Sequence, residues 1–194
     1  MTKRRAGNYT FTETSLAGAY LIEAARFEDS RGSFMECYTK SAFDAAGLRY
    51  DFVQDNQSRS RRGVLRGLHF QRTRPQAKLV RVLQGEIYDV AVDLRRESET
   101  YGRWIGVLLS EDNGKQLLIP RGFAHGFLVV SERAEVLYKC DAFYCPGDEG
   151  GIVWNDPVLK IRWPDVGRIL LSEKDRNLPG FSDAGIRSET EERP

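Results

Sequence analysis

The chain has 194 residues, 41% of them hydrophobic, which suits one folded domain with a sizeable core. Its 29 Lys and Arg residues are balanced by 28 Asp and Glu residues, so it lacks the basic excess expected of a nucleic-acid-binding protein. The apolar runs, such as residues 123–130, are too short to span a membrane, and no apolar run typical of a secretory signal follows the N-terminus. Three cysteines without paired spacing predict reduced thiols and a cytoplasmic location.

In chain order, the first clear element is a helix in SAFDAAGL, residues 41–48. Ser41 and Asp44 are spaced as a capping box, and Gly47 lies where a helix would end. From residue 78 onward, alternating apolar residues predict strands in KLVRVLQG, EIYDVAVDL, RWIGVLLS, QLLIP, FAHGFLVVS and AEVLYKC. Many short strands with regular turns are typical of an all-β sandwich or barrel. We expect one domain over residues 1–194, with its core at about 10–180 and a polar tail that frays after about residue 182.

The segment GVLRGLHFQ, residues 63–71, holds one of only two histidines in the chain. Arg66 precedes His69 by three residues, Lys78 follows it by nine, and Gln54 and Asn56 lie in the preceding VQDNQS. Cations and amides within apolar strands favour an anionic ligand, because buried charge is costly unless it is paired. Strict alternation puts Arg66 and His69 on opposite faces, whereas a bulge at the glycine between them would re-aim one of them. The pattern leaves both arrangements open.

Three further residues have both a structural and a functional interpretation. His125 shares strand parity with two phenylalanines, so it is either a hydrogen-bonded core residue or a ligand contact. Tyr138 is either packed in the core or a proton donor, and Asp175 is either solvated or the carboxylate that orients a histidine. A histidine, a carboxylate, a tyrosine and cations together suit proton transfer at a carbon beside a carbonyl. We expect no metal, because His69 has no second histidine at ligand spacing, although two histidines and carboxylates could in principle bind iron.

At these residues the sequence resembles the dTDP-4-dehydrorhamnose 3,5-epimerase family. The matching stretches cover about residues 10–180 in the family's order: DSRGSFMECY, VQDNQSRSRRGVLRGLHFQ, QAKLVRVLQGEIYDVAVDLR, YGRW, IPRGFAHGF, VLYKCDAFYCPGDEGGIVWNDP and LSEKD. The resemblance implies a jelly-roll (cupin-like) fold, a homodimer, and no metal or organic cofactor. It implies inversion of carbons 3 and 5 of dTDP-4-dehydro-6-deoxy-D-glucose, giving dTDP-4-dehydro-L-rhamnose on the route to dTDP-L-rhamnose for cell-surface polysaccharides.

The resemblance also implies roles for individual residues. His69 would be the general base, Asp175 would orient it, and Lys78 would stabilise the oxygen that becomes negative. Tyr138 would return a proton on the opposite face of the sugar ring. The residues implied to hold the nucleotide-sugar are Arg31, Glu36, Gln54, Asn56, Arg66, Lys78, His125, Glu149 and Lys174, with Phe34 near the thymine.

Three other functions remain open at this point. A relative in the same family could invert carbon 3 or carbon 5 alone, since small shifts of Tyr138 could decide between one inversion and two. A 3,4-ketoisomerase would move a proton between neighbouring carbons and would not need the tyrosine. A non-catalytic sugar-binding cupin would have no reason to keep a base, its orienting carboxylate and an acid on the opposite side together. The presence of His69 and Asp175 therefore favours an enzyme.

Overall fold

The computed structural model describes residues 2–185, which form a sandwich of two antiparallel sheets beside a separate hairpin. The strands are β1 (Lys3–Ala6), β2 (Tyr9–Glu13), β3 (Tyr20–Ala24), β4 (Arg26–Asp29), β5 (Gly32–Met35), β6 (Gln54–Arg61), β7 (Leu65–Gln71), β8 (Lys78–Gln84), β9 (Glu86–Asp93), β10 (Trp104–Ser110), β11 (Lys115–Ile119), β12 (Phe123–Val129), β13 (Arg133–Cys140) and β14 (Glu149–Gly151). The helices are α1 (Lys40–Ala45) and α2 (Glu173–Arg176), and a 3-10 turn covers Phe181–Asp183. Each of the six segments predicted as strands forms one, from β8 to β13.

The two sheets have the strand orders β1-β2-β3-β11-β8-β13-β6 and β10-β9-β12-β7-β14. Strands that are distant in sequence therefore lie side by side, as β12 does between β9 and β7. The strands β4 and β5 pair only with each other and form the separate hairpin. This arrangement confirms the predicted all-β, cupin-like jelly roll with a few short helices.

The main core lies between the two sheets. Because successive side chains of a strand point to opposite faces, Val80 and Val82 of β8 face inward, as do Ile87 and Ala91 of β9. Phe127 of β12 packs in the same cluster. These apolar residues fill one end of the sandwich interior, whereas polar residues occupy inward positions further along the same strands.

The outer face of the five-stranded sheet is also buried. Val90 and Val92 pack there against Ile152 and Ala184, which come from the irregular chain after β14. Ala184, in the segment expected to fray after about residue 182, is fully buried against the sheet. Residues 186–194 of that predicted tail lie outside the described residues.

The predicted helix is present, but it begins before Ser41. The N-cap is Thr39, and Ser41 lies inside the first turn, so the expected capping box between Ser41 and Asp44 does not form. The expected stop is confirmed, since Gly47 has a φ of +83° and donates its N–H to the carbonyl of Asp44. Within residues 2–185, the helices are too short and too polar for a membrane span.

Candidate active site

His69 forms a close pair with Asp175, across 106 residues of sequence. The Nε2 atom of His69 lies 2.6 Å from Oδ1 of Asp175, which is buried, whereas the histidine side chain is 32% exposed. Burial acts to raise the pKa of Asp175, but hydrogen bonds from His69 and Ser172 outweigh it and hold that pKa below its ordinary value. An ionised carboxylate only accepts, so Nε2 of His69 carries a hydrogen, and in the neutral imidazole the lone pair is on Nδ1.

Asp175 reaches β7 because the preceding chain is tied to that strand. The Leu65 N–H donates to the carbonyl of Leu170, and the Leu170 N–H donates to the carbonyl of Gly63. Two residues later, Ser172 caps α2 by accepting a hydrogen bond of 3.0 Å from the Asp175 N–H. The cap and the backbone pairing together fix the carboxylate beside His69.

A bulge in β7 resolves whether Arg66 and His69 share a face. His69 lies opposite His125 of β12, and Arg66 lies opposite the residue two positions further along β12. The strand β7 thus contains one residue more than β12 over this interval, and both side chains face the sandwich interior. Gly67 makes this possible, because its φ is +120° and an added Cβ would lie 2.6 Å from Cα of Gly126.

Next to His69 lies a second histidine–aspartate pair, which the sequence did not reveal. Nε2 of His125 is 2.7 Å from Oδ1 of Asp89, and both side chains are buried. Burial lowers the pKa of His125, with Lys78 and His69 acting in the same direction and Asp89 opposing them. The signal was present, since Asp89 shares its strand face with apolar core residues, where an acidic side chain needs a partner.

Tyr138 and Lys78 lie on the opposite wall from His69, in the seven-stranded sheet. The Lys78 Nζ is 5.9 Å from the centre of the Tyr138 ring, and the His125 ring is 6.5 Å from it. Burial raises the pKa of Tyr138 and lowers the pKa of Lys78. The tyrosine therefore keeps its proton at neutral pH, and a base candidate and a phenol lie on facing sheets of the sandwich.

The inner face of the edge strand β6 is polar. Gln54 donates to Asn56 over 3.0 Å, and Asn56 pairs in register with Tyr138 of β13. Further along β6, Ser60 accepts hydrogen bonds of 3.1 and 3.0 Å from the guanidinium of Arg66. A row of amide, hydroxyl and guanidinium groups therefore faces the space beside His69, and Ser60 was not among the predicted residues.

The mouth of the site combines an ion pair with an exposed aromatic ring. Lys174 of α2 pairs with Glu149 of β14, and this contact lowers the pKa of Glu149. Tyr144 is 47% exposed and is held by its N–H, which donates to Gln54 over 2.8 Å. Sequence reasoning missed Tyr144, although it lies in one of the matching stretches.

Three predicted residues lie on or beside the separate β4–β5 hairpin. Among the described residues, they do not contact those around His69 and Tyr138 of the same chain. Arg31 pairs with Asp29 of its own hairpin at 2.6 Å, and its side chain is largely exposed. Phe34 is 70% exposed, and Glu36 lies near Tyr9 of β2. The remaining predicted residues surround His69 and Tyr138: Gln54, Asn56, Arg66, Lys78, His125, Glu149, Lys174 and Asp175.

A cavity of about 780 Å³ opens at the end of the sandwich where β8 begins. Its wall includes Gln71, Lys78 and Phe123 but neither His69 nor Tyr138, so the space adjoins the site at Lys78. Such a volume is in the range of small-molecule sites. Within residues 2–185, no group of three or more His, Cys, Asp or Glu side chains is arranged to hold a metal ion.

Comparison with known proteins gives one consistent result. The family model of dTDP-4-dehydrorhamnose 3,5-epimerase matches residues 13–183. The Pseudomonas aeruginosa enzyme of that name is 55% identical over 174 residues, covering 89% of this chain and 96% of the relative. The Methanothermobacter thermautotrophicus enzyme is 54% identical over 171 residues, covering 87% of this chain and 92% of the relative. A crystal structure from Legionella pneumophila, an epimerase in complex with dTDP-4-keto-L-rhamnose, is 44% identical, with a TM-score of 0.88 and coverage of 90% and 94%.

The protein has a jelly-roll fold with His69 and Tyr138 on facing sheets, and it matches an epimerase family model. These features define it as a carbohydrate epimerase, which is an isomerase by reaction type. The match covers almost the whole described chain and every segment that carries a residue of the site. The chain belongs to the dTDP-4-dehydrorhamnose 3,5-epimerase family.

Proposed function

We propose that this protein converts dTDP-4-dehydro-6-deoxy-D-glucose to dTDP-4-dehydro-L-rhamnose by inverting carbons 3 and 5, a step toward dTDP-L-rhamnose. The observation that carries the proposal is the 2.6 Å contact between His69 and Asp175, opposite Tyr138 on the facing sheet. Inversion needs a base on one face of the ring and an acid on the other. These two groups supply both.

In this mechanism His69 removes the proton from carbon 3 or carbon 5. Its Nδ1 lone pair is the accepting atom, because Nε2–H donates to Asp175. The carboxylate stabilises the imidazolium that forms and keeps the ring in one orientation. The ketone at carbon 4 acidifies both neighbouring positions, so one base suits both inversions.

Lys78 stabilises the enolate oxygen that develops at carbon 4. The ammonium lies in a partly buried site, where electrostatic interactions are stronger than in water. Tyr138 then returns a proton from the opposite face. Its raised pKa keeps the phenol protonated until it donates.

The polar edge and the mouth of the site are suited to the nucleotide diphosphate. The guanidinium of Arg66 provides paired donors for phosphate oxygens, and Gln54 and Asn56 offer amides. His125, Glu149 and Lys174 would contact the sugar and the nucleotide. Gln54, Asn56 and Glu149 are half-buried and Arg66 and Lys174 are exposed, so a ligand can cover them.

We also propose that the protein is a homodimer in which Arg31, Phe34 and Glu36 act on the substrate of the partner subunit. The separation of the β4–β5 hairpin from the His69 group supports this, as does the exposure of Phe34. An exposed aromatic ring on an isolated hairpin favours burial in an interface.

The function is tested by incubating the protein with dTDP-4-dehydro-6-deoxy-D-glucose in heavy water and following proton NMR. We expect deuterium at carbons 3 and 5, and formation of dTDP-L-rhamnose when the downstream reductase and NADPH are added. Deuterium at one carbon alone would replace the proposal by a monospecific epimerase. Absence of exchange despite dTDP binding would show that the protein only binds the nucleotide.

A further inference from the structure

Asp89 is a completely buried acidic side chain that the proposed mechanism does not use. Its Oδ1 atom contacts His125, whereas its Oδ2 atom is buried without a hydrogen-bond partner among the described residues. A buried carboxylate with an unpaired oxygen is unfavourable unless positive charge lies nearby. The position therefore calls for a compensating cation.

Lys78 lies in the sheet opposite Asp89, and the charges of the two side chains interact across the interior. Cys140 of β13, Asp89 of β9 and Glu149 of β14 each act to raise the pKa of Lys78. The charge of Lys78 in turn lowers the pKa of His125 of β12. The ring centre of Tyr138 is 5.9 Å from Nζ of Lys78 and 6.5 Å from the ring of His125, so the partner of Asp89 and the lysine lie near the same phenol.

We propose that Asp89 is a positioning residue with two effects on the site. It holds the hydrogen of His125 on Nε2, so that Nδ1 accepts a hydrogen bond from a substrate hydroxyl. Its negative charge also keeps Lys78 in the ammonium form that stabilises the enolate. This inference rests on the proposed function, because both effects concern the substrate of that reaction.

The two effects follow from the geometry and from simple electrostatics. The 2.7 Å contact joins Nε2 of His125 to a carboxylate oxygen, and a carboxylate that accepts fixes the tautomer of its partner. Burial alone lowers the pKa of Lys78, and Asp89 acts against that shift. Without a counter-charge, a partly buried lysine loses its proton at lower pH and cannot stabilise the enolate oxygen.

The test is the variant Asp89→Asn, which keeps the side-chain shape and an oxygen that can accept from His125 but removes the charge. We expect the alkaline limb of the kcat profile to move to lower pH by about one unit or more, because the pKa of Lys78 falls. At neutral pH we expect kcat to fall about 10-fold or more. The affinity for dTDP is expected to change much less than kcat, since the amide and guanidinium groups of Gln54, Asn56 and Arg66 lie outside the Asp89–His125 pair.

Asp93→Asn is the matched control. Asp93 lies on the same strand and face and is equally buried, but Arg95, Ser98 and Thr100 hold its carboxylate. We expect this variant to lose stability without moving the alkaline limb. An unmoved limb in folded Asp89→Asn, or the same displacement in both variants, would overturn the role of Asp89.

A measurement on the unaltered protein keeps the proposal testable if Asp89→Asn does not fold. Nitrogen-15 NMR of labelled histidine is expected to show the hydrogen of His125 on Nε2. A hydrogen on Nδ1 would contradict the proposal. The same preparation is assayed with dTDP-4-dehydro-6-deoxy-D-glucose, so an inactive parent protein overturns the proposed function, whereas an active parent with an Nδ1 hydrogen overturns only the role of Asp89.

Discussion

The two histidines of the chain differ in environment more than in chemistry. They lie opposite each other on neighbouring strands, and each has an aspartate within 2.7 Å of Nε2. The His69 side chain is 32% exposed and can reach a substrate, while His125 is 7% exposed and is held among core residues. The difference in access supports His69 as the base and His125 as a ligand contact.

The substitution His69→Ala tests the base directly. We expect kcat/KM to fall by at least about 10³-fold, since the variant lacks the group that accepts the proton. Solvent deuterium incorporation at carbons 3 and 5 should disappear with it. Calorimetric titration with dTDP should give the parent affinity, and a variant with full turnover would exclude His69 as the base.

Tyr138→Phe separates proton loss from proton return. The phenyl ring keeps the packing against Lys78 and His125 but cannot donate. We expect product formation to slow by about 10²-fold, and deuterium exchange to slow much less. Parallel NMR and coupled-reductase assays measure both rates, and equal slowing would count against Tyr138 as the acid.

At the scale of an element, the bulge in β7 is what gathers the site. A regular strand would turn Arg66 to the face of the sheet opposite His69. The glycines at positions 67 and 126 let the two backbones approach, with an ideal Cβ on Gly67 only 2.6 Å from the facing Cα. The backbone at the start of the same strand also hydrogen-bonds to the segment that leads to Asp175. Local backbone geometry therefore determines which polar groups meet.

Gly67→Ala is expected to destabilise the protein and to reduce activity together. The control is Gly147→Ala, at a position that also has positive φ but where an added Cβ meets no atom within 4 Å. Because of the clash, we expect Gly67→Ala to lower the free energy of unfolding by roughly 1–3 kcal/mol more than the control does. Urea denaturation gives both values, and equal losses would mean that the close approach of β7 and β12 is not needed.

At the scale of the whole molecule, the β4–β5 hairpin leaves predicted substrate contacts far from the His69 group. A second chain would bring such contacts to the site and would cover Phe34. We expect light scattering to give twice the mass of one chain. A monomer at working concentration would contradict the homodimer.

Mixing two inactive variants tests which subunit uses the hairpin. Arg31→Ala removes a hairpin contact, and His69→Ala removes the base. If Arg31 serves the partner's substrate, a mixed dimer contains one site with both groups, and activity returns on subunit exchange. If Arg31 serves its own chain, both sites of the mixed dimer stay defective and the mixture stays inactive.

Local patterns in the sequence were enough to predict the strands from β8 to β13, the all-β class and the inward direction of His125, because alternation is a property of each strand alone. The quoted motifs were enough to indicate the family. The resemblance also implied the pairing of Asp175 with His69, whereas the pairing of Asp89 with His125 came from the structure alone. The two pairs join residues 106 and 36 positions apart, which the tertiary fold brings together. The bulge and the helix cap depended on backbone contacts with neighbouring strands and turns. Such contacts arise in the folded chain, where packing and hydrogen bonding outweigh local preference.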